Sequence, residues 1–146
     1  MKRTFFITGG CGFIGSCFIR NIINNSDNKI VNIDRLSYAS NKSLNKFSKN
    51  KNYKLYKNDI NDEKAIRKIL KLHKPDYILH FAAESHVDRS IDDPDDFIKS
   101  NVLGTYKLLH NSFDYWKKLS SIKKNRFRFI MVSTDEVYGS LKKNEK

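Results

Sequence analysis

Two neighbouring carboxylates, Asp135 and Glu136, follow a hydroxyl, Thr134, in the run Ser133-Thr134-Asp135-Glu136-Val137-Tyr138-Gly139. Like charges in a confined site split their pKa values, so one acid can start protonated while its neighbour starts ionised. Such a pair can give a proton to a leaving group and take one from carbon. The run follows Phe129-Ile130-Met131-Val132, which reads as a buried strand. Ligands of parallel α/β sheets sit just outside the carboxyl ends of strands, so this is where an acid and a base are expected. Two solvated acids after a strand are the plainer reading.

A second chemical motif opens the chain. Thr8-Gly9-Gly10-Cys11-Gly12-Phe13-Ile14-Gly15 contains G-x-x-G-x-x-G between a strand and a helix. Glycine suits a sharp turn approached by a pyrophosphate, and the helix start offers free N–H groups to the phosphates. Alone the pattern is weak. It is strengthened by Asp34, 19 positions beyond Gly15, near the offset expected for an acid binding the ribose hydroxyls of a dinucleotide. A carboxylate there repels a 2′-phosphate and favours NAD over NADP, a preference that Arg35 blurs.

Two further strand ends fit the same site. Asn58-Asp59-Ile60 offers a short acid and an apolar residue that could flank an adenine, or an Asp that only caps a turn. In Ala82-Ala83-Glu84-Ser85-His86 the small residues let a cofactor lie on the backbone, and the polar ones could reach sugar hydroxyls. No second His or Cys stands at ligand spacing from His86, so no metal site is expected. His73, His80 and His110 read as core or surface histidines.

These residues need a frame of alternating strands and helices. Strands are expected over Thr4–Thr8, Lys29–Ile33, Tyr53–Tyr56, Tyr77–Ala82 and Arg126–Val132. Helical spacing follows Gly12 through Phe13, Ile14, Phe18, Ile19, Ile22 and Ile23. A second helix is capped by Asp62 and carries Ala65, Ile66, Ile69, Leu70 and Leu72. A long third one opens at Pro94 and carries Phe97, Ile98, Val102, Leu103, Leu108, Leu109 and Trp116. The polar stretch from Arg35 to Asn52 reads as a loop with a short helical turn. The fold class is α/β, a doubly wound parallel sheet in one domain over residues 1–146.

Composition sets the partners. A net charge of +12 invites a nucleic-acid reading, but the lysines are scattered among asparagines without zinc-finger spacing or an RNA-binding aromatic signature. A solvated surface is the favoured reading, and no nucleic-acid partner is expected. No apolar run approaches the length of a membrane span. The basic start before Phe5-Phe6-Ile7 imitates a signal peptide, but the apolar stretch is too short and Gly9-Gly10 follows at once. Cys11 and Cys17 are poorly placed for a disulfide, and a reducing, cytoplasmic compartment is expected.

The composite resembles the dTDP-glucose 4,6-dehydratases of the extended short-chain dehydrogenase/reductase superfamily. The carriers are the glycine-rich start, Asp34-Arg35-Leu36-Ser37-Tyr38-Ala39, Ala82-Ala83-Glu84-Ser85-His86-Val87-Asp88-Arg89-Ser90-Ile91, Asn101-Val102-Leu103-Gly104-Thr105 and the Thr134-Asp135-Glu136 run. The resemblance implies a Rossmann-type NAD-binding domain, a dTDP-glucose or related sugar-nucleotide substrate, and a homodimer. Gly9, Gly12, Gly15 and the backbone of Phe13 and Ile14 would take the pyrophosphate. Asp34, Arg35, Leu36 and Ser37 would hold the adenosine ribose, and Asp59 with Ile60 the adenine. Phe81, Ala82, Ala83, Glu84 and Ser85 would line the nicotinamide half, with Ser100 also on the cofactor and Ser85 reaching the substrate. In such enzymes NAD oxidises the sugar at C4, water leaves across C5 and C6, and the hydride returns to C6. The resemblance makes Glu136 the base at C5, Asp135 the acid at the C6 hydroxyl, and Thr134 a hydrogen-bond partner at C4.

The family pattern also has a Tyr-x-x-x-Lys pair that activates the C4 hydroxyl from one helix face. Here that spacing occurs at Tyr38/Lys42, Tyr53/Lys57 and Tyr138/Lys142, none at the family position, and all three read as coincidences. The expectation is a sheet truncated after its fifth strand, an incomplete NAD-binding domain without the C-terminal substrate-binding region, and little turnover by this chain alone.

Overall fold

The computed structural model describes residues 2–38, 40–85, 94–134, 137 and 139. Five parallel strands form one sheet in the order β3-β2-β1-β4-β5. They are β1 (Thr4–Thr8), β2 (Lys29–Asp34), β3 (Tyr53–Lys57), β4 (Tyr77–His80) and β5 (Arg128–Met131). The chain winds outward from β1 to β3, then returns to the other side of β1 for β4 and β5. That reversal leaves a crevice beyond the carboxyl ends of β1 and β4, where α/β sheets take their ligands.

Side-chain alternation explains why both faces are covered. Successive residues of a strand point to opposite faces, and on β1 Phe6 and Ile7 are both fully buried. Phe6 joins Val31, Ile33, Ile66, Ile69, Leu70, Ile78 and Leu108 on one face. Ile7 joins Cys11, Ile19, Ile30, Leu44, Tyr53 and Leu79 on the other. Burying each of these larger aliphatic or aromatic side chains stabilises the fold by about 1.5–3 kcal/mol before entropy is charged.

Helix α1 (Phe13–Asn25) covers the second face and α2 (Glu63–His73) the first. As expected, Asp62 caps α2, its side chain accepting from Ala65 N at 3.0 Å. The helix ends at Lys74, which takes a left-handed φ of 47° and donates its N–H to Leu70 O. Leu72, expected among the apolar positions, is exposed because Ile66, Ile69 and Leu70 already define the face turned to the sheet. The polar stretch contains a short 3-10 helix (Lys42–Phe47) whose Leu44 is buried.

The long helix opened by Pro94 is one continuous run in three parts. A short α3 (Pro94–Phe97) passes into a π-helical segment (Ile98–Gly104) and then into α4 (Thr105–Lys117). π-helical turns are rare and concentrate at functional sites. This one faces the crevice.

Some bounds and one burial differ from expectation. β2 and β3 each run one residue further, to Asp34 and Lys57. β4 stops at His80, opposite Thr8; β1 turns away at Gly9, and the last ladder bond runs from Phe81 N to Thr8 O at 3.0 Å. A short helix, α5 (Ser121–Arg126), precedes β5, which begins at Arg128. Strand β5 is also not buried. Ile130, Met131 and Val132 are 47%, 49% and 44% exposed. Among the described residues β5 ends the strand order and pairs with β4 alone, and only its Phe129 packs against the core.

Candidate functional site

The glycine-rich turn is built from close approaches. Gly9 has a φ of 66°, and a Cβ there would lie 2.5 Å from Ala82 N, so β1 and the chain leaving β4 can touch only through glycine. A Cβ on Gly15 would lie 2.4 Å from Gly9 O, so this glycine lets α1 pack onto the turn. Gly12 is different: its Cβ would meet only Gly9 O, at 3.3 Å. The fold crowds this position far less than Gly9 or Gly15, and the side away from Gly9 O is open to a ligand. Gly12 is also the N-cap of α1, and no side chain caps the helix or places an acid in its first turn. Its first N–H groups and positive dipole end remain available to an anion.

Asp34 ends β2 facing this turn. Its Oδ2 accepts from Cys11 N at 2.8 Å, and its Oδ1 accepts from Leu36 N at 2.8 Å and from Ser40 Oγ at 3.4 Å. The carboxylate is thus oriented by the glycine loop and by the turn after β2 together. Leu36 has a left-handed φ of 59°, which folds the chain back so that its N–H reaches Asp34. Arg35 ion-pairs through Nη2 with Glu84 Oε1, bridging the ends of β2 and β4.

Glu84 is held from a third direction. Its backbone N–H donates to Asn101 Oδ1 at 2.8 Å, and Asn101 Nδ2 donates back to Glu84 O at 2.8 Å. Asn101 belongs to the π-helical segment, as does Ser100, which reaches the groove. Ile60 is nearly buried and lies against Gly104, where a Cβ would come within 2.6 Å of its side chain. Asp59 holds a turn, its Oδ1 accepting from Asn61 N at 2.8 Å and Asn61 Nδ2 at 3.0 Å. It serves that turn and lines the groove as well.

Beneath the floor lies a polar relay. His80 is 2% exposed, with Nδ1 2.7 Å from Thr8 Oγ1 and Nε2 2.9 Å from Thr105 Oγ1. Burial pushes the imidazole down to about 4, so it is neutral at pH 7. His80 is the core histidine its pattern suggested. His73 instead meets Tyr56 OH at 2.7 Å, and His110 is half exposed beside Asp114.

One groove of about 100 Å³ at the strand ends collects Gly9, Gly12, Asp34, Arg35, Ser37, Asp59, Ile60, Phe81, Ala82, Ala83, Glu84 and Ser100 from the expected set. Phe13, Ile14, Gly15, Leu36 and Ser85 lie off its walls. Phe13 and Ile14 form the first turn of α1 with exposed side chains, so only their backbone faces the turn's work. Ile33, Ser40 and Asn58 line the groove without having been singled out as site residues. Ser40 and Asn101 act by orienting Asp34 and Glu84, and hydroxyl or amide identity alone does not announce such a role. Thr134 is exposed after β5, while Asp135 and Glu136 lie outside the described residues.

The tyrosine–lysine spacings resolve in part. Tyr53 is 7% exposed on β3, receives a hydrogen bond from Asn32 Nδ2 at 3.0 Å, and burial pushes its phenol up to about 12. That is the reverse of an activated tyrosine. Tyr38 sits in the turn after β2, with its OH 3.5 Å from Glu84 Oε2. Tyr138 and Lys142 lie outside the described residues. Both cysteines are free thiols, Cys11 buried and Cys17 exposed. Among the described residues no helix is long and apolar enough to cross a membrane.

Known proteins share this arrangement. The family model described as GDP-mannose 4,6 dehydratase matches residues 6–146. The dTDP-glucose 4,6-dehydratase 1 of Escherichia coli (strain K12) is 52% identical over 136 residues, covering 92% of this chain and 38% of the relative. A crystal structure of a dTDP-glucose 4,6-dehydratase from Streptomyces venezuelae with NAD superposes with a TM-score of 0.80 at 35% identity, over 97% of this chain and 42% of that one. The Bacillus anthracis dTDP-glucose 4,6-dehydratase in complex with NAD gives a TM-score of 0.77 at 33% identity, over 97% of this chain and 41% of its own. The chain therefore spans about two fifths of the length of these relatives. Sequence and fold agree that this chain belongs to the GDP-mannose 4,6 dehydratase family and corresponds to the N-terminal, Rossmann-type part of its dTDP-glucose 4,6-dehydratase members.

Proposed function

We propose that the chain binds NAD across the carboxyl edge of its sheet and contributes the dehydration half of a dTDP-glucose 4,6-dehydratase. The carrying observation is the meeting of Gly12, Asp34 and Ala82–Glu84, from three separate stretches, around one groove at the β1/β4 reversal. Gly12 supports the reading because an added Cβ would meet a single backbone atom, Gly9 O at 3.3 Å, far less crowding than at Gly9 or Gly15. Asp34 supports it because its carboxylate is oriented at the groove by Cys11 N, Leu36 N and Ser40 Oγ.

Bound NAD would supply the hydride acceptor for oxidation at C4 and the hydride returned at C6. The first-turn N–H groups of α1 would hold the pyrophosphate, Asp34 with Ser37 the ribose hydroxyls, and Asp59 with Ile60 the adenine. Small side chains at Ala82 and Ala83 would let the nicotinamide half lie on the chain leaving β4. Thr134 follows β5 on the same edge, and Asp135 and Glu136 come next in the sequence. There Glu136 would take the C5 proton, acidified by the adjacent carbonyl, and Asp135 would protonate the departing C6 hydroxyl. Thr134 and Ser85 would bond the sugar nucleotide.

A second reading, NAD binding without turnover by the chain alone, is favoured by one observation. Among the described residues, no tyrosine four positions before a lysine lies on a helix face; Tyr38 is in a turn and Tyr53 is buried in a strand. Titration calorimetry with NAD and a dTDP-glucose turnover assay on the 146-residue protein separate the readings. Saturable NAD binding with negligible turnover is expected. No NAD binding overturns both readings, and robust turnover overturns the second.

A further inference from the structure

We infer that Glu84 is a specificity-determining residue that acts through Arg35 to set the preference for NAD over NADP. The inference rests on the NAD reading above and deepens it. Asp34 and Arg35 make opposite demands at the ribose end of the groove. A carboxylate there suits a free 2′-hydroxyl, whereas a nearby guanidinium accommodates a 2′-phosphate. Adjacent in sequence, the two leave the choice open.

The structure closes that choice. Arg35 Nη2 is taken up by Glu84 Oε1, and both residues line the groove. The formal charge of Asp34, Arg35 and Glu84 together is then that of one uncompensated carboxylate, which repels a 2′-phosphate. Glu84 is no wandering surface acid. Its side chain is only 16% exposed, and its backbone is tied on both sides to the Asn101 amide at 2.8 Å. Arg35 is positioned by its neighbours, since Leu36 N closes a tight turn onto Asp34 Oδ1 at 2.8 Å. With 36% of the Arg35 side chain exposed, solvent screens the pair but does not erase it.

Charge arithmetic makes the test directional. Glu84→Gln raises the local charge by one unit and frees the guanidinium; Arg35→Ala lowers it by one unit; the double variant restores the starting value. Affinities of NADH and NADPH are read by nicotinamide fluorescence at low and high salt. Wild type should favour NADH. Glu84→Gln should cut the NADH:NADPH discrimination by roughly tenfold, one unit of charge at this range being worth about that much. Arg35→Ala should raise the discrimination, and the double variant should return it close to wild type. All differences should narrow as salt rises.

Because the two single variants move in opposite directions, either one decides the matter if the other fails to fold. A Glu84→Gln protein that binds NADH yet keeps its discrimination within twofold overturns the inference, as does an Arg35→Ala protein with lowered discrimination. A wild-type chain that binds neither nucleotide overturns the NAD reading itself, which is a different result.

Discussion

His80 Nδ1 lies 2.7 Å from Thr8 Oγ1 at the point where β4 and β1 stand directly opposite each other. The same imidazole reaches Thr105 Oγ1 on α4, so one side chain joins both strands flanking the crevice to the helix behind it. Hydroxyls can donate or accept, so a neutral ring with one donor and one acceptor is satisfied by these two threonines. A protonated ring has two donors and a charge in a buried place.

This gives a pH dependence of defined sign. The folded imidazole is lowered from 6.5 to about 4. Below pH 6.5 the unfolded chain takes up a proton that the folded chain refuses until about pH 4. The contribution is therefore intact above that window and lost as pH falls through it. It amounts to about 3 kcal/mol at 1.36 kcal/mol per unit. His73, lowered by burial and by Lys29 and Lys54, adds in the same direction. Urea denaturation of wild type and His80→Gln across pH 7 to 4 isolates the larger effect. Wild type should lose up to about 3 kcal/mol more than the variant over that range.

The two thiols should separate in reactivity. Cys11 is 3% exposed, and burial reinforced by the charge of Asp34 pushes its thiol up to about 11. Cys17 is exposed on α1. At pH 8 an aromatic disulfide reagent should titrate one thiol quickly and the second only after denaturant is added. Fast labelling of both would show that the glycine loop opens readily.

Much of this architecture was legible in the residues. Apolar runs at strand spacing placed five strands, and the glycines with Asp34 placed the groove, because each reflects a local demand on the backbone. The rest depends on what meets what. The apolar run Phe129-Ile130-Met131-Val132 looks buried in sequence, yet among the described residues only Phe129 of the run packs against the core, and Ile130, Met131 and Val132 stay exposed. Asn101 became a clamp because the π-helical segment turns its amide toward Glu84, seventeen positions away. No periodicity reports a single π turn. Arg35, ambiguous beside Asp34, gained its meaning from a partner in the segment that follows β4.

An apolar stripe runs along the outer side of the long helix. Ile98, Val102, Tyr106, Leu109 and Phe113 are each at least 50% exposed and recur at helical spacing. A stripe of this kind marks an interaction surface more often than idle surface. The homodimer that the family resemblance implies predicts a second copy of the chain as the occupant. Sedimentation velocity should give a dimer for wild type. Leu109→Glu/Phe113→Glu should shift it to monomer without changing the far-ultraviolet circular dichroism. A wild type that stays monomeric at high micromolar concentration would refute this placement.

The glycine turn offers the sharpest separation of fold from function. Gly9 and Gly12 stand three residues apart, yet their surroundings differ. At Gly9 the backbone has a φ of 66°, and an added methyl would lie 2.5 Å from Ala82 N and 2.7 Å from Phe81 C. Both are backbone atoms of the chain leaving β4, so neither can step aside like a side chain. Left-handed strain alone costs about 1–3 kcal/mol, and the clash adds to it. Gly9→Ala should therefore destabilise the fold by at least about 2 kcal/mol in urea denaturation. At Gly12 the added methyl meets only Gly9 O at 3.3 Å, and its φ of −72° suits any residue. Gly12→Ala should leave stability within about 1 kcal/mol of wild type. It should nevertheless weaken NAD binding by tenfold or more, because the methyl occupies the surface that a pyrophosphate must touch at the start of α1. If Gly12→Ala binds NAD as tightly as wild type, the pyrophosphate does not lie on this turn.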